Sequence, residues 1–313
     1  MSMGPHAAIP VADDRERFLA ALFDCLWDRY RSRVSYVRDY ERVIANSGAT
    51  FVNDHIAFRT IASQVPLTGI VSLSRMFEAL GYVAAGCYQF PDKHLSSIHF
   101  QHPNGQFPKL FISELRSWEL SDAAQAILAK TVRSHRAPLS DGALARLSRV
   151  DRTTHEELLD IAARQIHDLP WDVPDRHDVL ALNAESQFGA WVLVHGYNVN
   201  HFTALINSQG TADLADIERT VAALRQAGVP MKGEIEGARG TKLRQTATEA
   251  VTIDVSVRDG GQLAVMPWTY AYFELAERGM VTDGETGRSG RFEGFLGPQA
   301  TNLFEMTRMK LSQ

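Results

Sequence analysis

The stretch Asn53-Asp54-His55-Ile56-Ala57-Phe58-Arg59 reads as a strand carrying a histidine, and Asn198-Val199-Asn200-His201-Phe202-Thr203-Ala204 repeats that arrangement later in the chain. An amphipathic helical pattern follows each copy. One module further on, each is answered by a strand holding a glutamate, Phe111-Ile112-Ser113-Glu114-Leu115 and Ala271-Tyr272-Phe273-Glu274-Leu275. The His-to-Glu separation is 59 residues in the first copy (55 to 114) and 73 in the second (201 to 274), and each interval spans one βαβββ unit. The chain therefore reads as one unit used twice, with a candidate metal site where the copies meet.

Side chains alternate across a strand. His55, Ala57 and Arg59 share one face, while Ile56 and Phe58 share the other, which asks for an apolar layer such as helices. In the second copy His201, Thr203 and Leu205 align, and so do Tyr272, Glu274 and Ala276. A carboxylate inside Tyr270-Ala271-Tyr272-Phe273-Glu274-Leu275-Ala276 has apolar neighbours on both sides, and burying it without a partner is costly. A metal ion or an arginine would relieve that cost. Ordinary alternatives stand beside this one: a hydrogen-bonded histidine in each strand, a Glu274–Arg278 ion pair, and Arg59 serving a structural carboxylate such as Glu114. The co-occurrence of a histidine and a glutamate one βαβββ unit apart in both copies favours a shared site.

Outside the two copies, helical spacing of Phe18, Leu22, Phe23, Leu26, Trp27 and Tyr30 predicts a helix over 13–46, ended by Ser47-Gly48. The first module is expected to hold strands over 55–60, 82–90, 94–101 and 109–115, with a helix over 71–80 closed by Gly81. From 120 to about 191 the pattern becomes helical, with starts at Ser121-Asp122, Asp141 and Thr153, which reads as an insertion forming a cover or a packing layer. The second module is expected to hold strands over 197–207, 243–248, 251–257 and 268–277, a turn at Gly260-Gly261, and a helix over 211–227 capped by Thr211 and ended by Gly228. A tail over 291–308 is expected to pack back on the second module. The organisation is thus α+β: an N-terminal helical segment (1–50), a first βαβββ module (51–118), a helical insertion (119–195), and a second module with its tail (196–313), together one catalytic unit.

The chain has 313 residues, 45% of them hydrophobic, enough for a packed interior of two modules plus additions. Its net charge of −5 argues against a nucleic-acid partner. No apolar run reaches the roughly 18 residues of a membrane span, and the N-terminus lacks the basic-then-apolar pattern of a secretory signal. With Cys25 and Cys87 as the sole cysteines, no disulfide framework or zinc ribbon is expected. Cys25 falls on the apolar side of its helix. A cytoplasmic location is the expectation, and a homodimer is compatible with the sequence.

Three motifs together resemble the signatures of the 2-oxoadipate dioxygenase/decarboxylase (hydroxyglutarate synthase) family: Asp54-His55-Ile56-Ala57-Phe58-Arg59-Thr60, Val199-Asn200-His201-Phe202-Thr203 and Tyr272-Phe273-Glu274-Leu275-Ala276-Glu277-Arg278. The likeness runs from about residue 15 to 308, and the paired modules resemble the vicinal oxygen chelate fold, an open barrel. The chain is shorter than the better-known bacterial members. The resemblance implies Fe(II) held by His55, His201 and Glu274, with Arg59 gripping a substrate carboxylate. Two imidazoles and one carboxylate leave three positions open on Fe(II), two for a chelating 2-oxo acid and one for O2. It also implies the reaction. The substrate's own 2-oxo acid supplies the electrons, CO2 leaves, and the neighbouring carbon is hydroxylated, so that 2-oxoadipate would give 2-hydroxyglutarate. Lysine catabolism is the setting this implies. An arginine suits such a grip better than a lysine because it bonds a carboxylate bidentately.

Further residues carry weaker expectations. Glu114 matches Glu274 by the repeat and is assigned a substrate-side role. Gln245 and Lys242 on the strand Lys242-Leu243-Arg244-Gln245-Thr246 are taken as substrate-side groups as well, and Lys109 is similar. His94, His99 and His102 fit neither a helix face nor a zinc motif, although His99 is placed to line a pocket. His155-Glu156 lacks the second histidine of a metalloprotease helix, and His195-Gly196 reads as a turn. Two other readings remain open. One is a glyoxalase-type isomerase or lyase with Glu114 as fourth ligand, which would not consume O2. The other is a metal-free protein that binds a small ligand between the modules.

Overall fold

The computed structural model of the protein describes residues 4–137, 139–282, 284, 287–297 and 307. The chain opens with two helices, α1 (Asp14–Arg33) and α2 (Tyr36–Asn46). The single helix expected over 13–46 is bent at Val34 and Ser35. The bend turns Val34, Val37 and Tyr40 inward together, and the Tyr40 hydroxyl donates to Gln209 Oε1 at 2.6 Å. Asp13 caps α1 by accepting from the Glu16 N–H, while the Glu16 carboxylate accepts from the Ala12 N–H, so the first turn leaves few orphan donors.

The first module follows: β1 (Asn53–Ile61), a short ribbon of β2 (Ser63–Gln64) and β3 (Leu67–Thr68), α3 (Ile70–Ala79), β4 (Val83–Phe90), β5 (Leu95–Gln101) and β6 (Lys109–Leu115). Gly81, at φ +105°, turns the chain out of α3. Five helices separate this module from the second: α4 (Asp122–Val132), α5 (Asp141–Leu147), α6 (His155–His167), α7 (Arg176–Glu185) and α8 (Gln187–His195). The second module holds β7 (Val199–Leu205), α9 (Ile217–Gln226), β8 (Leu243–Ala247), β9 (Thr252–Asp259), β10 (Gln262–Thr269) and β11 (Glu274–Arg278), followed by the ribbon β12 (Met280–Thr282) and β13 (Ser289–Arg291).

Seven strands form one curled mixed sheet in the order β4-β5-β6-β1-β7-β11-β8. Within the modules the first and last strands pair in parallel, β1 with β6 and β7 with β11. Between the modules β1 and β7 run antiparallel, with Ile56 opposite Phe202, His55 opposite Thr203 and Ala57 opposite His201. That register is a local two-fold axis: each histidine faces the residue two beyond the other histidine. It carries both imidazoles to the middle of one sheet. The opposite face is apolar, as alternation requires. Phe58 packs on Phe77 of α3 at 5.5 Å and Phe202 on Trp27 of α1 at 5.0 Å. Truncating either ring to alanine would cost about 3–5 kcal/mol.

The second module departs from its expected strands. Residues 268–277 do not form one strand: β10 ends at Thr269, and the ladder resumes only at Glu274. The hairpin β9–β10, turned by Gly260 and Gly261 at positive φ, forms its own two-stranded ribbon outside the main sheet, with one further bridge from Arg258 to Asp175. β8 therefore pairs directly with β11. The outer edge is an irregular segment touching β8 through the bridges Met231–Thr248 and Glu236–Gln245. The helix α9 also starts later than expected. Asp216 rather than Thr211 caps it, accepting from the Arg219 N–H at 2.8 Å, because Leu214 turns inward before the helix begins.

Candidate metal centre

His55 and His201 lie on the two central strands, and Glu274 begins the strand beside β7. Their ligand atoms all fall within 4.8 Å of one another. His201 Nε2 is 3.2 Å from Glu274 Oε2, and His55 Nε2 is 3.6 Å from Oε1. The imidazoles stand nearly perpendicular, 5.4 Å apart. Each is anchored through its other nitrogen by the residue just before it. His55 Nδ1 bonds Asp54 Oδ2 at 2.8 Å, and His201 Nδ1 bonds Asn200 Oδ1 at 3.0 Å. Such acceptors fix the tautomer with a free lone pair on Nε2, the form that binds metal. The Thr203 hydroxyl lies 3.1 Å from His55 Nε2.

The electrostatics agree. Burial pushes the Glu274 carboxyl well above its ordinary range; the bond from Gln245 opposes this, and the charges of Asp54 and Glu236 add to it. Burial, then the neighbouring His55 and Arg59, hold His201 well below its ordinary value. Burial also lowers His55, with Asp54 pulling the other way. Burial alone would raise Asp54, but Arg278 and His55 overcome it and keep this carboxyl well below its ordinary range. Two neutral imidazoles thus face a carboxyl whose Oε2 is buried and accepts no hydrogen bond among the described residues. A divalent cation satisfies that donor set: two imidazole lone pairs and one carboxylate, with the remaining positions open.

Around this centre the cavity is walled by Ala57, Phe111, Ser113, Tyr272, Phe295 and Leu296. Gln245 reaches it and donates to Glu274 Oε1. Arg59 reaches it from the His55 face of β1; its guanidinium lies over Phe188 at 4.9 Å and Trp191 at 5.2 Å, both on α8, and donates to Thr307 Oγ1 at 2.7 Å. The inserted helices thus back the arginine.

The remaining expected site residues lie elsewhere. Lys242 is exposed, its ammonium 5.9 Å from the Phe292 ring. Lys109 pairs with Glu293. His99 is buried against Tyr88 and Phe295 and held neutral by burial, its pKa pushed down to about 4. Glu114 accepts from the Ile70 N–H at 2.9 Å, at the start of α3. Its match to Glu274 is corrected by strand register. Glu274 stands opposite Thr203, two beyond His201; the residue opposite Ala57, two beyond His55, is Phe111. Phe111 is therefore the counterpart of Glu274, and Glu114 is the counterpart of Glu277. Glu277 indeed accepts from the Ile217 N–H of α9 at 2.8 Å, as Glu114 does for α3. Nor does Arg278 pair with Glu274 as a strand-end partner. It holds Asp54 through two bonds instead, its Nη2 donating to Oδ2 at 2.8 Å.

Sequence reasoning did not single out Asp54, Asn200, Phe111 or Phe295, and it offered Arg278 only as a partner of Glu274. The first two had a visible signal: each copy places a side-chain oxygen acceptor directly before its histidine. The tail was expected on the second module, yet Phe295 lies 4.9 Å from His55 and 4.8 Å from Phe111, both of the first module. The rest of that tail, save Thr307, lies outside the described residues.

A curled sheet built from two βαβββ units, with two histidines and a glutamate at its centre, defines a vicinal oxygen chelate type of fold holding a candidate metal centre. The model of the 2-oxoadipate dioxygenase/decarboxylase family matches residues 22–305, and the chain belongs to that family. It is 28% identical over 286 residues to the chloroplastic/amyloplastic 2-oxoadipate dioxygenase/decarboxylase of Oryza sativa subsp. japonica, covering 85% of this chain and 72% of that protein. The chloroplastic counterpart from Arabidopsis thaliana is also 28% identical, over 274 residues, 81% of this chain and 67% of that one. Among solved structures, the hydroxyglutarate synthase of Oryza sativa in complex with 2-oxoadipate superposes with a TM-score of 0.77 at 25% identity, covering 95% and 94% of the two chains. A glyoxalase superfamily protein from Ralstonia eutropha JMP134 gives the same TM-score at 22% identity, covering 88% and 90%, and shares the fold.

Proposed function

We propose that this protein is an Fe(II)-dependent dioxygenase/decarboxylase that converts 2-oxoadipate and O2 to 2-hydroxyglutarate and CO2. The observation that carries the reading is the buried Oε2 of Glu274, which accepts no hydrogen bond among the described residues and lies 3.2 Å from His201 Nε2, facing two anchored imidazoles in a cavity that also holds Arg59. Family membership and the 2-oxoadipate in the rice relative's structure support the choice of substrate.

His55, His201 and Glu274 would hold the iron. Bound there, Fe(II) would supply Lewis acidity and a redox-active centre through which the electrons of the 2-oxo acid reach O2. The chain's own groups then do the following. Gln245 fixes one carboxylate oxygen of Glu274, so the other is presented without rotation. Asp54 and Asn200 keep both Nε2 lone pairs available. Arg59, on the same strand face as His55, takes the substrate carboxylate far from the keto group, giving the substrate one orientation. Phe111, Tyr272 and Phe295 keep water from the reacting carbons. The balance closes: the C1 carboxylate leaves as CO2, the keto carbon becomes the new carboxylate with one oxygen atom, and the adjacent carbon takes the other as hydroxyl.

A four-ligand isomerase is not favoured, because Phe111 occupies the position that the repeat would give a fourth ligand. The test is metal uptake. His55→Ala, His201→Ala and Glu274→Ala are each expected to lose stoichiometric Fe(II) and turnover. Arg59→Lys is expected to retain iron while its KM for 2-oxoadipate rises. Full activity in any of the three ligand variants would overturn the assignment.

A further inference from the structure

The described tail, residues 291–297, crosses from the second module to the first and lies over the metal centre. Its fastenings are specific. Gln101 Nε2 donates to Glu293 O at 3.3 Å, Lys109 pairs with the Glu293 carboxylate, and the Phe295 N–H donates to the Tyr88 hydroxyl at 3.3 Å. The Phe295 ring then covers His55, Phe111 and His99 at 4.9, 4.8 and 5.2 Å. The cavity beneath retains only about 30 Å³ open to water centres, room for about two waters. A six-carbon dicarboxylate is larger than that space, and the strap, with Phe295 and Leu296 in the cavity wall, is part of the cover that shapes its entry.

One side chain joins the strap to the metal ligands. Arg278, fully buried, donates through Nε and Nη2 to Asp54, the acceptor that orients His55. Its Nη1 donates to the strap carbonyls of Phe292 at 3.0 Å and Gly294 at 2.7 Å, and its guanidinium lies 5.2 Å from the Phe295 ring centre. A guanidinium is rigid and planar, so its bonds to Asp54 and to the strap share one orientation. We infer that Arg278 is a positioning residue that couples closure of the strap over the cavity to the orientation of His55, so that metal loading and strap closure favour each other. This rests on the proposed metal site. It predicts that a loaded site holds the strap shut and that a displaced strap loosens His55.

Hydrogen–deuterium exchange of peptides covering residues 291–297 tests this, with Co(II) as the metal probe and a competing chelator to measure its affinity. In the wild-type protein, Co(II) is expected to slow strap exchange by about tenfold, the scale of one well-formed hydrogen bond. In Arg278→Lys and Arg278→Met, strap exchange in the metal-free protein is expected to rise. Co(II) affinity is expected to fall about 10–100-fold, the usual effect of losing a ligand's supporting partner, and the response of the strap to Co(II) to vanish. Asp54→Asn removes the carboxylate that orients both His55 and Arg278, so it is expected to weaken Co(II) and also to raise metal-free strap exchange. Arg278→Lys keeps the charge and guards against a simple failure to fold. A strap that responds to Co(II) equally in wild type and Arg278→Lys would overturn the coupling. A wild-type protein that takes up no Co(II) would refute the metal reading and with it the coupling. The metal-free exchange of Arg278→Lys would still report whether Arg278 fastens the strap, so the two failures are distinguishable.

Discussion

Removing the carboxylate of Glu114 should weaken the fold and leave the metal centre intact. The side chain accepts from the Ile70 N–H, the first donor of α3, and the residue before that helix is Gly69, which supplies no side-chain cap. Gly69 sits at φ +91°, and a Cβ there would come within 2.5 Å of Glu114 Oε2, so carboxylate and glycine form one device. Three effects go together in Glu114→Ala: a lost cap, about 1 kcal/mol; a lost charge-assisted bond to a backbone donor; and a lost anion at a helix N-terminus, about 0.3–1 kcal/mol. These overlap, and a total of about 2 kcal/mol is expected, some 3 °C of melting temperature for a chain of this size. Glu277→Ala should do the same for α9, with a further loss because Glu277 also takes a bond from Arg244 at 3.1 Å. The assay is calorimetry on metal-free protein, paired with Co(II) affinity by chelator competition. A Co(II) affinity tenfold weaker in Glu114→Ala, with an unchanged melting temperature, would refute the register argument and restore Glu114 as a ligand.

Other expectations concern the site and its surroundings. Phe111→Glu places a carboxylate at the position related to Glu274 by the two-fold, and should tighten Co(II) binding while suppressing O2-dependent turnover; unchanged affinity and turnover would contradict the symmetry. Because burial raises the metal-free Glu274 carboxyl well above its ordinary range, metal competes with a proton there, and affinity should climb as pH rises through that raised titration; a pH-independent affinity by calorimetry in two buffers would count against it. His195 is fully buried, bonds Thr269 O at 2.9 Å, and has its pKa pushed down to about 3 by burial. The folded state therefore binds fewer protons than the unfolded state between about pH 3 and 6.5, so stability rises with pH across that window and levels off above it. At pH 5 the cost is about 2 kcal/mol; His195→Gln should flatten the urea-midpoint slope between pH 7 and 5, and an unaltered slope would exclude this histidine as its source.

Much of the fold could be read because the first module is regular. The strand Lys109–Leu115 falls where expected, and β1 carries His55, Ala57 and Arg59 to the cavity on the alternation that the sequence displays. What could not be read depends on strand pairing, which residue spacing does not encode. Counting from histidine to glutamate matched Glu114 with Glu274, yet the hairpin β4–β5 of the first copy joins the main sheet whereas β9–β10 of the second forms a separate ribbon, so the two intervals are not equivalent. A one-face comparison of Glu114 and Glu274 therefore compared different register positions. The true partner of Arg278, and the role of Phe295, were invisible for a related reason. Their partners, Asp54 and His55, are more than two hundred residues distant in the chain, and no periodicity links them. Thr211 and Asp216 were equally good caps on paper, and the inward turn of Leu214 decided between them.

The central claim is that His55, His201 and Glu274 hold an iron whose open positions serve O2 and a 2-oxo acid. Its most direct measurement is the simultaneous recording of O2 uptake and CO2 release after anaerobic loading with Fe(II), across a panel of 2-oxo acids. The account predicts one CO2 released for each O2 consumed, fastest with 2-oxoadipate, with 2-hydroxyglutarate as product and no release in Glu274→Ala. Turnover that proceeds without O2, or an Fe(II)-loaded protein inert toward every 2-oxo acid tested, would contradict it.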